Sequence, residues 1–231
     1  MSLPSIAVII AAYNEEWGVG PTLAEVREIL DDPFYLVVDG NSTDRTVEIA
    51  KELGANVFVQ EGRGKGNAIS QAIDRIRHDP EYTVFIDADF TYPAKYISEM
   101  IRILEEKPNV GMVLGNRFNH LLTSAIMKDT FYLGNRFLAI TQRLLNGVHL
   151  NDPLTGLRVV RWEILKGWKP KSKGFDIEAE LNHQVERRGY QILEVSIPYR
   201  KRLGEKKLKL RHGFSIFKRI IAESLSHYME I

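Results

Sequence analysis

The chain contains no cysteine among its 231 residues, which removes disulfides, thiolate metal ligands and cysteine nucleophiles from consideration. It also lacks an apolar run able to cross a bilayer. The purest one near the N-terminus, Ile6 to Ala12, falls far short of the ~20 residues a spanning helix needs. Met1-Ser2-Leu3-Pro4-Ser5 is not a basic region leading into a long apolar core, so no signal peptide is expected. A net charge of +1 offers no bulk reason to expect nucleic acid as a partner. Two phosphate-binding signatures are missing as well: GxxxxGK[ST], and GxGxxG after the first strand. The expectation is a protein of the cytoplasm, dissolved or on the cytoplasmic face of a membrane.

What is present reads as an ordinary globular chain, 44% hydrophobic and 26% charged, long enough for one large α/β domain. Ile6 to Ala11 is a continuous apolar run of the kind found in buried parallel strands. Leu23, Val26 and Leu30 have helical spacing. Phe34 to Val38 reads as a second strand, and Ser42-Thr43-Asp44 as the capped start of a helix running to Leu53 and closed by Gly54. A strand at Asn56 to Val59, a helix from Gly66 to Arg77, a strand ending at Asp87, a helix over 93–106 and a strand over 111–115 continue the alternation. That pattern predicts a mostly parallel central sheet flanked by helices. The second half predicts a helix over 129–145, a strand over 157–161, a helix over 175–188, a strand over 192–199 and a C-terminal helix. No repeat or linker interrupts the chain, so residues 1–231 are expected to form a single domain. About 1–115 would be its nucleotide-like half, and about 116–231 would complete the site.

The most informative segment is Phe85-Ile86-Asp87-Ala88-Asp89, a hydrophobic strand that stops on two carboxylates. Residues i and i+2 of a strand share a face, and ligands of open α/β sheets gather at carboxyl ends of strands. Neighbouring carboxylates repel unless a cation or proton resolves them. A hard divalent ion, Mg²⁺ or Mn²⁺, held by one or two carboxylates and substrate phosphates does so; an ordinary strand-end turn is the bland alternative. Two other strands end in polar residues, at Tyr13-Asn14-Glu15 and Asp39-Gly40-Asn41-Ser42. There Asp39 can accept from a base or ribose, Tyr13 can stack and Glu15 can reach a ribose hydroxyl. Asp44 reads as a helix cap. Gly62-Arg63-Gly64-Lys65-Gly66 precedes a helix, an arrangement suited to an anionic group.

Taken in order, IAVIIAAYNEE, VVDGNSTDRT, GRGKGNA, VFIDADFTYP, GNRF, NDPLTGLRV, GFDIEAEL and EVSIPYRKRLGEKKLKLRHG resemble the inverting family 2 glycosyltransferases of the GT-A fold, with its Rossmann-like first half. Within them the chain is most similar to the polyprenyl-phosphate sugar synthases, the dolichyl-phosphate mannose and glucose synthases. The resemblance implies a nucleoside-diphosphate-sugar site at Ala12, Tyr13, Glu15, Asp39, Lys65 and Asp87. It also implies that Asp89 is the principal metal ligand, with Asp87 shared between metal and nucleotide. Three departures stand out. Asp39-Gly40 holds one carboxylate where the family usually has two. Thr91 stands where mannose synthases often carry Gln. Thr155-Gly156-Leu157-Arg158 looks like the glucose-synthase and wider prokaryotic versions.

The chemistry constrains the remaining residues. A departing nucleoside diphosphate requires a cation. A lipid-phosphate acceptor is already ionised and needs cationic groups to hold it, for which Arg117, Arg136 and Arg200-Lys201-Arg202 are candidates. A hydroxyl acceptor would instead need a base, Asp152 or Glu178. The alternatives are an Asp-Pro turn for Asp152 and a solvated helix face for Glu178 and Glu180. Residues 200–211 carry seven Lys or Arg against one Glu, and Phe214 to Ile221 combines apolar and basic residues at helical spacing. Such a segment suits an anionic membrane surface, or a solvated loop with a packed helix. Several relatives carry transmembrane helices beyond this point. This chain would therefore work as a peripheral protein, associate with a membrane-protein partner or as a homo-oligomer, or use a soluble acceptor. GRGKG also resembles glucosyl-3-phosphoglycerate synthases, which makes 3-phosphoglycerate the alternative acceptor. A nucleotidyltransferase would share the architecture but place its Gly-rich loop after the first strand.

Overall fold

The computed structural model describes residues 5–31, 33–118 and 130–229. One sheet of seven strands takes the order β3-β2-β1-β4-β6-β5-β7. In chain order these are β1 Ile6–Ala12, β2 Phe34–Asp39, β3 Asn56–Val59, β4 Tyr82–Asp87, β5 Val110–Asn116, β6 Arg158–Arg161 and β7 Gln191–Ser196. All ladders are parallel except those of β6, which runs antiparallel to both β4 and β5. The helices are α1 Val19–Ile29, α2 Thr46–Glu52, α3 Lys65–Arg75, α4 Ile97–Glu106, α5 Thr130–Asn146, the short α6 Trp162–Leu165, α7 Ile177–Arg187 and α8 Arg211–Met229.

Alternation along the strands divides the core into two layers. Val8, Ile10, Val84 and Ile86 pack with α1 and α4 on one face, where Leu23, Val26, Met100 and Leu104 are buried. Ile9, Leu36, Val38 and Phe85 pack with α3 and α7 on the other. Strands covered on both faces must be apolar at nearly every position, which is why β1 and β4 read as unbroken runs.

The chain leaves β1 for β2 on one side and returns to β4 on the other, making the carboxyl end of β1 a topological switch point. Register brings the ends together there: Ala12 lies opposite Asp39, and Ala11 opposite Asp87. Within the described residues the non-glycine positive φ angles are Asn14 (50°), Asn41 (67°) and Phe90 (63°). Each lies just beyond one of these three strand ends. Asn tolerates that region, whereas for Phe90 it costs on the order of 1–2 kcal/mol, so the surroundings must hold it.

Candidate active site

The loops after β1 and β2 are laced together by the hydroxyls and carboxylate of Ser42, Asp44 and Thr46. Asn14 N donates to Ser42 Oγ at 2.8 Å, Glu15 N to Thr46 Oγ1 at 2.8 Å and Glu16 N to Asp44 Oδ2 at 3.1 Å. Asp44 Oδ1 accepts from Thr46 N at 3.0 Å, but α2 starts at Thr46 with Arg45 at its N-cap position, so Asp44 braces the turn before the helix rather than capping it as expected. The lacing leaves Tyr13 about half exposed beside Gly40. Asp39 is buried, with Oδ2 accepting from Ser42 N at 2.9 Å.

The DAD segment is held from two sides. Gly18, at the start of α1, lies so close that a Cβ there would sit 2.4 Å from the Ala88 carbonyl oxygen and 2.8 Å from Asp89 Cα; only glycine fits. On the other side a Cβ on Gly156 would lie 2.2 Å from Asp87 Oδ2. The strand stops at Asp87, so the alternation that would place both carboxylates on one face does not extend to Asp89. Asp87 Oδ1 accepts from Lys65 Nζ at 2.6 Å, and Lys65 also pairs with Glu178 at 2.6 Å. Asp89 turns elsewhere: Oδ1 accepts from Thr91 N at 3.1 Å and Thr91 Oγ1 at 2.6 Å, and Oδ2 from Arg202 Nη1 at 2.6 Å. Thr91, a departure from the family pattern, therefore orients the aspartate.

Electrostatics follows from burial. Burial alone would lower the Lys65 pKa, but the Asp87 and Glu178 carboxylates outweigh it and hold the ammonium well above its usual range. Burial and the neighbouring Asp87 push Asp89 up, against hydrogen bonds from Thr91 and the charge of Arg202. Burial raises Glu15 to about 7, opposed by Arg202 and Lys207.

Three cations of the basic loop are engaged in contacts rather than solvated, while Lys201 and Lys209 are exposed as one reading of the sequence expected. Arg200 pairs with Glu25 of α1 at 2.6 Å and lies over the Phe90 ring at 4.6 Å, bracing its left-handed backbone. Arg202 bridges Asp89 and Glu15, and Lys207 Nζ donates to the Asn14 carbonyl at 3.0 Å. The loop thus lies across the DAD segment rather than beside it.

Asp152 is fully buried and accepts from Arg117 Nε at 2.6 Å, Arg117 Nη2 at 2.7 Å, Arg117 N at 3.0 Å and Asn135 Nδ2 at 2.9 Å. Both its oxygens are therefore engaged. Arg117 also reaches Tyr92 Oη at 3.3 Å, which accepts from Gly156 N at 2.8 Å. A continuous chain of contacts runs from Asp87 through Gly156 and Tyr92 to Arg117. Arg136 stands apart, 3.5 Å from Asn151.

Two further expectations change. The Gly66 and Asn67 amides in the first turn of α3 are not free for an anion, because Gly66 N donates to the Gly174 carbonyl at 3.1 Å and Asn67 N to that of Lys173 at 3.2 Å. Lys65 faces the site through its side chain. Glu178 and Glu180 are buried rather than on a solvated face, and Glu180 accepts from Lys171 N and Ser172 N, each at 2.7 Å. Sequence reasoning also missed Tyr92 and the buried Arg158, which donates to the Thr155 and Pro153 carbonyls at 2.9 and 2.5 Å and to Asn182 Oδ1 at 2.5 Å. An arginine inside an apolar strand was the available signal, since a buried charge demands partners.

Among the described residues no group of three or more His, Cys, Asp or Glu is arranged to hold a metal. Asp87 and Asp89 are nevertheless hard oxygen donors of the kind Mg²⁺ and Mn²⁺ take alongside phosphate oxygens. Asp39 Oδ1, Glu15 Oε2 and Arg202 Nε are buried without a hydrogen-bond partner. Orphaned polar atoms at and near these strand ends fit a polar ligand.

The model of the family described as glycosyl transferase family 2 matches residues 7–166. A dolichyl-phosphate hexose transferase from Haloferax volcanii is 34% identical over 229 residues, 98% of this chain and 96% of that protein. A dolichol-phosphate mannosyltransferase from Pyrococcus furiosus is 26% identical over 230 residues, 92% of this chain and 64% of that protein. The chain thus spans less than two thirds of the second relative. Glucosyl-3-phosphoglycerate synthase from Mycobacterium tuberculosis, crystallised with Mn²⁺, UDP-glucose and phosphoglyceric acid, aligns with a TM-score of 0.73 at 24% identity, covering 96% of this chain and 79% of that one.

Proposed function

The chain belongs to glycosyl transferase family 2 and has the GT-A fold, and from that premise we propose that it is an inverting, metal-dependent hexosyltransferase using polyprenyl phosphate as acceptor. The donor is a nucleoside-diphosphate hexose, UDP-glucose or GDP-mannose. The family and the hexosyltransferase class rest on the matches above; donor, metal and acceptor are the proposal.

The observation that carries the acceptor is the clamp on Arg117. Four hydrogen bonds converge on Asp152, which leaves it engaged rather than poised to take a proton. A hydroxyl acceptor needs a base, whereas a phosphate monoester arrives ionised and needs a fixed cation. Arg117, locked by Asp152 and linked through Tyr92 and Gly156 to Asp87, is such a cation. The phosphate oxygen forms its bond to the anomeric carbon as the bond to the diphosphate breaks, in line and with inversion.

On the donor side Asp39 accepts from the base, Tyr13 stacks on it and Glu15 meets the ribose. Asp87 and Asp89 would hold Mg²⁺ or Mn²⁺, which supplies charge stabilisation to the departing diphosphate. Lys65 keeps Asp87 in place, and Arg202 sits where it can pass from Asp89 to the diphosphate. A lipid acceptor also implies peripheral contact with an anionic membrane; among the described residues no helix is long and apolar enough to cross one. A soluble phosphate such as 3-phosphoglycerate could use the same Arg117, and only the acceptor would differ.

A screen of UDP-glucose and GDP-mannose against polyprenyl phosphate and 3-phosphoglycerate, with Mg²⁺ or Mn²⁺, tests the reading. Transfer to the lipid phosphate is expected, abolished in Asp89→Ala without loss of fold. Transfer to phosphoglycerate alone would refute the acceptor, and near-normal turnover in Asp89→Ala would refute the metal role.

A further inference from the structure

Helix α5 buries two polar residues, Asn135 and Gln142, beside the apolar Leu138 and Ala139. Its inward side carries Asn135, bonded to Asp152 at 2.9 Å, and Gln142, which donates to the Ala179 carbonyl at 3.0 Å and accepts from Asn182 at 3.1 Å. Its outward side carries Leu133, Phe137, Ile140 and Leu144, exposed by 54%, 57%, 52% and 77%. The spacing i, i+4, i+7, i+11 makes these one stripe. A helix facing water normally presents the opposite arrangement.

Helix α8 packs beside it and widens the stripe. Phe137 stacks on Phe217 at 5.7 Å, and Phe214 and Leu225 are exposed further along α8. Among the described residues the exposed charge on these two helices is basic, with Glu186 of α7 the acid beside Arg143 and Leu144. Helix α5 contains Arg136 and Arg143 and no acid. Helix α8 contributes Arg211 and Lys218, while its Glu223 is buried and paired with Arg219 at 3.2 Å.

We propose that the outward face of α5 and α8 is the surface by which the enzyme docks on an anionic lipid bilayer. Apolar side chains flanked by an excess of cations are complementary to acyl chains beneath anionic head groups. A second copy of the same face would bring cations against cations. The assignment keeps the Phe214–Ile221 part of the segment suggested by the sequence and drops the loop before it, since Arg200, Arg202 and Lys207 are spent inside the site. One helix diameter, about 10–12 Å, separates the outward stripe from the Asn135–Asp152–Arg117 contacts. Docking would therefore hold Arg117 near head-group depth. In its purpose this face rests on the lipid-acceptor reading.

The test is co-sedimentation of the full chain with phosphatidylcholine vesicles, with or without about one third phosphatidylglycerol. Binding should be roughly tenfold stronger to the anionic vesicles. The triple variant Leu133→Gln/Ile140→Gln/Leu144→Gln should lose about tenfold or more of it while melting at the wild-type temperature. Wild-type binding by that variant overturns the proposal. So does attachment only to native membranes that retain their proteins, or a wild-type dimer that the variant converts to monomer without vesicle binding. Transfer to a short-chain, water-soluble prenyl phosphate without vesicles should be equal in both proteins. If neither uses any prenyl phosphate although the wild type still docks, the acceptor reading falls and the docking face stands.

Discussion

Replacing Gly156 with alanine tests the site at its narrowest point. The new Cβ would sit 2.2 Å from Asp87 Oδ2, 2.6 Å from Cγ and 2.9 Å from Oδ1, where ordinary contact begins at 3.4 Å. About 1.2 Å must be found, and the β6 and β4 backbones are tied by their ladder. The carboxylate is the part able to move, by swinging about its side-chain torsions. An off-rotamer swing costs about 0.5–1.5 kcal/mol, so the fold should survive with a small fall in melting temperature. The swing also pulls Asp87 off Lys65, now at 2.6 Å, and out of position for the cation. Misplacing a catalytic group by about 1 Å lowers turnover on the order of 10²-fold, which corresponds to about 2.7 kcal/mol. The assay is kcat for hexose transfer together with Mn²⁺ affinity by paramagnetic resonance. Gly134→Ala, where a Cβ meets nothing within 4 Å, serves as control. A folded Gly156→Ala enzyme with wild-type turnover and Mn²⁺ affinity would refute the reasoning.

Arg117→Ala should destabilise the protein by about 3–5 kcal/mol in chemical denaturation, because it strands a buried carboxylate. Adding Asp152→Asn should recover part of that loss, and simple additivity of the two changes would argue against a tightly coupled pair. Glu186 offers a pH prediction: burial raises its pKa from 4.5 to about 7. The folded state then binds more protons than the unfolded one between these values, so stability should fall as pH rises from about 4.5 to about 7. Glu186→Gln should flatten that slope in thermal melts, and an unchanged slope would assign it to another group.

Much of the fold was legible because its cause is local. Buried parallel strands are apolar at nearly every position, and β1, β2 and β4 stand out for that reason. Gly54 closes α2 with a φ of +69°, as its place after Leu53 suggested. The antiparallel direction of β6 was not legible, since alternation of side chains is the same in either direction. Nor was the four-residue α6, too short to show a period. Within the site, the residues of the strand ends could be named in advance, but their partners could not. Lys65 lies 22 residues before Asp87, and Arg202 lies 113 after Asp89.

By itself the sequence determined the layered α/β architecture, the placing of Asp39, Asp87 and Asp89 at or just beyond the carboxyl ends of strands, and membership of the family. Each depends on short-range pattern, on hydrophobic periodicity and on ordered motifs. Only the tertiary structure decided that the Gly66 and Asn67 amides are taken by residues 173–174, that Asp152 clamps Arg117, and that α5 turns Asn135 and Gln142 inward while Leu133 and Leu144 face outward. Those outcomes depend on which distant groups burial brings together. A buried charge or amide takes the partner that packing supplies, and no local pattern along the chain encodes that choice.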